Sequence, residues 1–403
     1  MHKIETLLQT LAPKGVEFRK LGEVINIFKG KQLNKELLLD YGEYPVMNGG
    51  IHASGYWNEY NTDYPKIIIS QGGASAGYVN YMTSKFWAGA HCYTIELNSE
   101  KLNYKFLYYF LKNSQSILMK SQFGAGIPAL NKADIETLTI PIPPLEVQQE
   151  IVKILDAFTE LNTELNTELK ARKKQYQYYQ NMLLDFNGIN QNHKDAKMSA
   201  KTYPKRLKTL LQTLAPKGVE FRKLGEVCEI LDNRRIPIAK NKRNPGIYPY
   251  YGANGIQDYI DSYIFDGDFV LVGEDGSVIN KDNTPVVNWA SGKIWVNNHA
   301  HVLQTKNELK LKFLYFYLQT IDVSYCVAGT PPKINQENLK KITIPIPPLE
   351  IQQEIVKILD QFLALTTDLL AGIPAEIKAR KKQYEYYREK LLTFKPLTPP
   401  QRS

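Results

Sequence analysis

The sequence has few of the patterns that disulfide frameworks, zinc sites, membrane spans or secretion signals require. Its three cysteines, Cys92, Cys228 and Cys326, lie far apart. An odd number at such spacings builds neither a disulfide framework nor a cysteine-based zinc site, and it fits a reducing cytoplasm. No run approaches about 18 apolar residues, and the amphipathic start of the chain carries Glu5. We therefore expect no membrane span and no signal peptide.

Catalytic motifs are missing as well. There is no Walker A motif, and every Pro-Pro pair is followed by Leu, Lys or Gln, where an adenine methyltransferase has an aromatic residue. Residues 124–129 fit a G-x-G-x-x-A pattern, but they contain a proline and follow no predicted buried strand. The pair His299 and His301 has no predictable third metal ligand. We predict a protein that is not an enzyme and that binds no cofactor and no metal.

What the sequence does contain is an excess of positive charge. Lys and Arg number 50 against 41 Asp and Glu, which gives a net charge of +9 and an isoelectric point of about 9.0. This balance favours a polyanionic partner such as nucleic acid. With 403 residues, the chain is also long enough for two separate hydrophobic cores.

The sequence contains an internal repeat. Three segments recur with little or no change: Thr6–Val24 as Thr209–Val227, Thr139–Phe158 as Thr343–Phe362, and Lys170–Tyr179 as Lys378–Tyr387. The stretches between them, residues 25–138 and 228–342, have similar lengths but little identity. Each contains short apolar runs bounded by Gly, Asn and Pro, and one apolar helical pattern, which predicts a mixed α/β domain. We expect one fold that carries two different surfaces.

Each repeated exit segment predicts a long helix. After Ile140–Pro144, apolar residues recur at steps of three and four through Leu145–Phe186, which is 42 residues or roughly 63 Å. The second copy, Leu349–Phe394, contains Gly372 and Pro374, which should kink or restart it. Because such long stripes have no core of their own, we expect the two helices to pack as an antiparallel coiled coil. The predicted packing residues are Ile151, Leu155, Phe158, Leu165, Leu169, Tyr176, Ile355, Leu359, Phe362 and Tyr384.

This order of variable domain and long helix, used twice, resembles the specificity (S) subunits of type I restriction-modification systems. The motif IPIPPLExQQEIVKILD opens each helix and KARKKQYxYY closes it. The resemblance implies two target recognition domains, each docking one half of a bipartite double-stranded DNA site, with a pseudo-twofold internal repeat. It also implies two methyltransferase subunits and motor-nuclease subunits that supply the chemistry. The predicted division is 1–140 first recognition domain, 141–186 central helix, 187–208 linker, 209–344 second recognition domain, 345–395 distal helix and 396–403 tail.

The central helix carries a four-residue repeat. Thr159–Leu169 reads TELNTELNTEL, and the resemblance implies that such repeats set the spacing between the half-sites. Four residues advance a helix by about 6 Å and rotate it by about 40°, close to the rotation of roughly 35° for one base pair. The alternative is that these residues only fill an exposed part of the helix.

DNA reading needs cations for phosphates and short polar side chains for base edges. For phosphates, the candidates are Lys29, Lys31, Arg234, Arg235, Lys240, Lys242 and Arg243. For bases, they are Asn48, His52, Gln71, Ser75, His91, Asn131, Asn254, Gln257, Asp275, Ser277, His299, Lys333 and Asn335. Two alternatives to a type I subunit stay open: a recognition module of a type II-like restriction-methylation enzyme, and a coiled-coil scaffold without a DNA role.

Overall fold

The computed structural model describes residues 2–124, 128–186, 203–276, 278–367 and 372–397. The chain divides into two compact units, one made of Met1–Asn166 and Glu376–Ser403, the other of Thr167–Ala375. Most of the predicted linker and the candidate Ser277 lie outside the described residues. No helix among the described residues is both long enough and apolar enough to cross a membrane.

Unit 1 combines short strands with helices. Its elements are α1 (His2–Leu11), β1 (Glu17–Lys20), β2 (Ile25–Lys29), β3 (Tyr44–Met47), β4 (Gly55–Trp57), β5 (Lys66–Ser70), β6 (Val79–Met82), β7 (Trp87–Ala88), β8 (Cys92–Leu97), α2 (Tyr104–Asn113), α3 (Gln115–Lys120), α4 (Lys132–Glu136), β9 (Thr139–Ile142) and the start of α5 (Leu145–Leu184). Strands β1 to β8 follow one another before α2. The strands form sheets in the orders β2-β8-β5-β6 and β4-β3-β7, with β3 and β7 parallel. The apolar run of β5 is buried at the centre of the larger sheet, packed under the apolar face of α2.

Unit 2 repeats this plan. It holds α6 (Lys205–Leu214), β10 (Phe221–Lys223), α7 (Leu224–Val227), β11 (Cys228–Ile230), β12 (Pro245–Gly252), β13 (Gly255–Ile260), β14 (Phe265–Gly273), β15 (Val287–Val296), β16 (Ala300–Thr305), α8 (Leu311–Leu318), α9 (Gln336–Lys341), β17 (Thr343–Pro345) and α10 (Leu349–Thr367). The six strands of its larger sheet follow the order β11-β16-β14-β15-β12-β13, with β12 and β15 parallel. This is the strand order of unit 1, with the single strand β15 in the place of β6 and β7. The prediction of one fold carried twice is confirmed.

The repeated segments close each domain in the same way. In unit 1, β1 pairs antiparallel with β9, and Phe18 lies opposite Pro141. In unit 2, β10 pairs with β17 in the same sense, and Phe221 lies opposite Pro345. The start of each domain is therefore tied to the strand that leads into the next long helix.

A buried glutamine fixes the first turn of each long helix. The Oε1 atom of Gln148 accepts from the Asn103 amide at 2.7 Å, and its Nε2 donates to the carbonyls of Lys101 at 2.8 Å and Pro143 at 2.6 Å. Gln352 makes the equivalent bonds to Lys310, Glu308 and Pro347 in unit 2. Both side chains are fully buried. Each helix is thereby anchored to its own domain.

Each unit pairs the beginning of one long helix with the end of the other, which is the antiparallel arrangement that was predicted. In unit 1, the ring of Phe158 stacks 5.6 Å from that of Tyr387, which lies on α11 (Ile373–Leu391). In unit 2, the ring of Tyr179 stacks 5.1 Å from that of Phe362. The second helical stretch ends at Thr367 and resumes at Ile373 beside Gly372 and Pro374.

The predicted helix-packing residues differ in their burial. Ile151, Leu155, Ile355 and Leu359 are fully or almost fully buried. Tyr384 packs on the core of unit 1, and Tyr176 on that of unit 2. Leu165 and Leu169 are half-buried.

Candidate nucleic-acid interface

In unit 1, the loops that contain Gln71, His91 and Pro128 meet at one end of the larger sheet, beside Asn48. The Gln71 amide donates to the carbonyl of His91 at 2.9 Å, and the Gly73 amide donates to that of Pro128 at 2.8 Å. The His91 amide donates to Oδ1 of Asn48 at 3.0 Å. These bonds bring Asn48, Gln71 and His91 together, with the His91 side chain exposed.

The predicted basic residues of unit 1 lie at the same end. The amide of Gly30 donates to the Cys92 carbonyl at 3.0 Å, and that of Lys31 to the Ala88 carbonyl at 2.8 Å. A Cβ on Gly30 would overlap the backbone at Ala88, so only glycine allows this approach. Lys29 and Lys31 flank it with exposed side chains.

The remaining candidates of unit 1 are less concentrated. His52 is exposed and Ser75 is half-buried. Asn131 forms a capping box with Asp134 at the start of α4, so its side chain holds the backbone.

Unit 2 builds the same three-loop cluster with different side chains. The Glu274 amide donates to the His299 carbonyl at 2.9 Å, and the Gly276 amide to that of Pro332 at 3.1 Å. The imidazole of His299 is hydrogen-bonded to the carboxylate of Asp275. An isolated β-bridge joins Asp275 to Lys333. Asp275, His299 and Lys333 are therefore brought together.

The basic loop of unit 2 contains exposed and largely buried cations. Arg234, Lys240 and Lys242 are exposed, and Arg234 also donates to the Ile264 carbonyl at 3.3 Å and lies 4.8 Å over the ring of Phe265. Arg243 lies 4.1 Å over the ring of Tyr250 and retains 13% side-chain exposure. Arg235 retains 11% and forms an ion pair with Glu274 at 2.6 Å, so the structure gives it an internal role.

Asn254 is exposed at the turn between β12 and β13, and Gln257 is exposed on β13. The Gln257 amide oxygen lies 3.4 Å from the side-chain nitrogen of Asn297. Asn335 caps α9 by accepting from the Asn338 amide at 2.8 Å, as Asn131 caps α4.

Beneath the unit 2 cluster lies a buried ion network of Asp232, Arg235, Glu274 and His301. Nδ1 of His301 is 2.6 Å from Oδ2 of Asp232, and its Nε2 is 2.8 Å from the Ile334 carbonyl. Burial alone would raise the pKa of Asp232, but the hydrogen bond and charge of His301, with the Arg235 charge, hold it below its ordinary value. This contribution to stability is lost only as the pH falls through the lowered pKa of Asp232.

Three members of this network resemble a metal-ligand set by distance alone, since ligand atoms of Asp232, Glu274 and His301 lie within 4.8 Å of one another. Their atoms already have partners: Arg235 pairs with both carboxylates, and Lys333 reaches Glu274 at 3.1 Å. The arrangement is chemically that of a paired ion cluster.

Sequence reasoning missed Asp232 and Glu274. Asp232 precedes a basic loop and Glu274 follows a strand, and nothing in the sequence around either residue indicates that it forms a buried ion pair. Their partners lie far along the chain: His301 is 69 residues from Asp232, and Gln336 is 104 residues from it. The H-x-H pattern drew attention to His301, but it does not separate the exposed His299 from the fully buried His301.

The chain is similar to known proteins along nearly its whole length. The family "Type I restriction modification DNA specificity domain" matches residues 13–174 and 216–379. A putative type I restriction enzyme specificity subunit of Haemophilus influenzae is 45% identical over 44% of this chain and 46% of its own length. The EcoR124I/EcoR124II specificity subunit of Escherichia coli is 27% identical over 99% of both chains.

A solved structure agrees in fold. The S subunit of a type I restriction-modification system from M. genitalium superposes with a TM-score of 0.62, at 22% identity, over 94% of this chain and 96% of its own. Since two separate segments matching the family model together span well over half of the sequence, this chain belongs to the family of type I restriction-modification DNA specificity subunits, which is a non-catalytic family.

Proposed function

We propose that each domain reads one half of a bipartite, asymmetric DNA site through its three-loop cluster. The observation that carries this proposal is the repetition of the same backbone hydrogen bonds, Gln71 to His91 and Glu274 to His299, under different side chains. A shared scaffold with different loop chemistry suits two readers of two different sequences.

Charge and exposure support this assignment of roles. Exposed Lys29 and Lys31 in unit 1, and Arg234, Lys240 and Lys242 in unit 2, are placed to bind phosphates. His91, His299 and Lys333 are exposed on the loop clusters, where base edges could reach them, although His299 is hydrogen-bonded to Asp275 and Lys333 forms an ion pair with Glu274. In this proposal Arg235, Asn131 and Asn335 hold the loops, because Arg235 is largely buried in its ion pair and the two asparagines cap helices.

Mapping of methylated bases in cells that express this chain together with a methyltransferase of the same system tests the reading proposal. We expect a split sequence whose two halves differ, because the two loop clusters differ. A palindromic or continuous methylated sequence would contradict it. Cells without this gene provide the control and should lack the modification.

We further propose that two methyltransferase subunits dock on the repeated segments, with motor-nuclease subunits completing the complex in the cytoplasm. Large apolar side chains are exposed in matched pairs: Leu11 with Leu214, and Leu145 with Leu349, each 39 to 45% exposed. In unit 1, Leu11 and Leu145 line a cleft of about 660 Å³ together with Pro13 and Pro144. Exposed leucines that occur twice suit a partner that is present twice.

Charged residues in these leucine pairs should remove the methyltransferases. We expect Leu145→Asp to leave one methyltransferase copy per chain and the double variant Leu145→Asp/Leu349→Asp to leave none, because each charge would be buried without a partner. Native mass measurement of the purified complex counts the copies. Leu37→Asp, at an exposed leucine in a segment that is not repeated, should retain two. A double variant that keeps both copies would show that docking occurs elsewhere.

A further inference from the structure

We infer that the buried ion network of Asp232, Arg235, Glu274 and His301 positions the DNA-reading loops of the second domain and requires a doubly protonated His301. This inference rests on the proposed function, and it deepens it by assigning a role to residues that do not reach the DNA. It also predicts that changes within this network affect discrimination at only one half of the site.

Hydrogen-bond geometry fixes the protonation of His301. The Ile334 carbonyl can only accept, so Nε2, at 2.8 Å, carries a proton. The Asp232 carboxylate already accepts from the Val302 amide at 3.1 Å and from Gln336 at 3.3 Å. It is therefore an acceptor, and Nδ1 at 2.6 Å carries the second proton. The fully buried ring is an imidazolium.

The charges around this imidazolium form a closed set. Two carboxylates face it. Asp232 lies on the turn after β11, and Glu274, at 3.7 Å, follows the end of β14. Arg235 pairs with both carboxylates, and the partly exposed Lys333 reaches Glu274 from the segment before α9. Loss of the imidazolium proton would remove a hydrogen bond and leave buried negative charge undercompensated.

Each member of the network is joined in sequence to a candidate DNA contact. Arg235 follows the exposed Arg234, and its guanidinium donates to the Ala300 carbonyl at 2.8 Å, next to His299. Glu274 precedes Asp275 and holds the backbone of Ile334 at 2.9 Å. The network therefore connects all three loops of the cluster, and a shift within it moves the reading side chains together.

The first domain provides an internal comparison. Tyr93 occupies the place of His301 in the equivalent strand, and its hydroxyl donates to the Leu130 carbonyl at 3.2 Å. Leu130 corresponds to Ile334, because their amides donate to Gln71 and Glu274 respectively. Burial raises the pKa of Tyr93 above its ordinary value, so this neutral contact does not change charge near neutral pH. The first domain holds the same loop without an ion network.

The test uses the complete complex with its methyltransferases and duplex oligonucleotides that carry the mapped target, or the target with one half-site scrambled. Discrimination is the ratio of dissociation constants between intact and scrambled duplexes, measured by fluorescence anisotropy. We expect the wild-type complex to discriminate at both half-sites, and a change within the network to lower discrimination about tenfold, the value of one good base contact, at one half-site only.

Three variants separate positioning from general stability. His301→Phe should lower discrimination at one half-site by about tenfold. The paired variant His301→Tyr/Asp232→Asn rebuilds the neutral contact of the first domain, and it should restore discrimination at that half-site. Tyr93→Phe should weaken discrimination only at the other half-site.

Equal loss at both half-sites in His301→Phe, or unchanged discrimination at both, would overturn the positioning role. A wild-type complex that discriminates at neither half-site would instead overturn the proposed reading function itself.

Discussion

A complex whose specificity chain lacks residues 163–166, one TELN unit of α5, is expected to lose its original target and to methylate one whose half-sites lie about one base pair closer together. The unit lies within the continuous helix Leu145–Leu184, and none of its four residues is fully buried. The deletion therefore removes one half-buried leucine, Leu165, and no candidate DNA contact. Only the length and rotation of the helix change, by about 6 Å and about 40°.

The old target should become a poor one, because its use would now require bent helices or twisted DNA at a cost on the order of a few kcal/mol. Methylation mapping of cells with the deleted chain measures both the half-sites and their spacing. Thr163→Ala/Asn166→Ala keeps the length of the helix and should retain the original spacing. If the original target were still methylated to the same extent, the TELN repeat would not set the spacing between the half-sites. Altered half-site bases would show that the reading surface lies elsewhere.

The parts of the fold that follow from repetition and periodicity could be predicted. A stripe at steps of three and four predicts a helix over Leu145–Phe186, and the structure has Leu145–Leu184. Helices this long must bury their stripes on a partner, which predicts the antiparallel pairing seen in the Phe158–Tyr387 and Tyr179–Phe362 ring pairs. The two variable stretches have similar lengths and similar patterns of short apolar runs, which predicts one fold used twice. The shared strand order confirms it.

What sequence could not give is the set of contacts made between distant segments. The pairing of β1 with β9 joins two short strands more than 100 residues apart, and neither has a register signal of its own. Arg235 and Arg234 look alike as neighbours in a basic loop. Only the fold places Glu274 beside the first and leaves the second exposed, so net charge suggested a DNA partner without separating the two roles.

The glutamine pair that opens each long helix shows the same limit and gives the largest expected stability effect. Gln148 and Gln149 are identical in type, yet the first is fully buried with three hydrogen bonds and the second is exposed. We expect Gln148→Ala to lower the free energy of unfolding of unit 1 by about 3 kcal/mol, because it leaves the Asn103 amide and two carbonyls without partners. Asn103 caps α2, so the loss should also loosen that helix.

Calorimetry of the full chain measures this effect, with hydrogen exchange to locate it. Since Gln352 makes the same bonds in unit 2, Gln148→Ala should raise exchange in α2 and β9, and Gln352→Ala should raise it in α8 and β17. The exposed neighbours give matched controls, and Gln149→Ala and Gln353→Ala should change stability by less than about 0.5 kcal/mol. If Gln148→Ala proved as mild as Gln149→Ala, the helix would have to be held by the apolar contacts of Val147, Ile151 and Leu155 alone. The repeated glutamine would then not be the residue that anchors each long helix to its own domain.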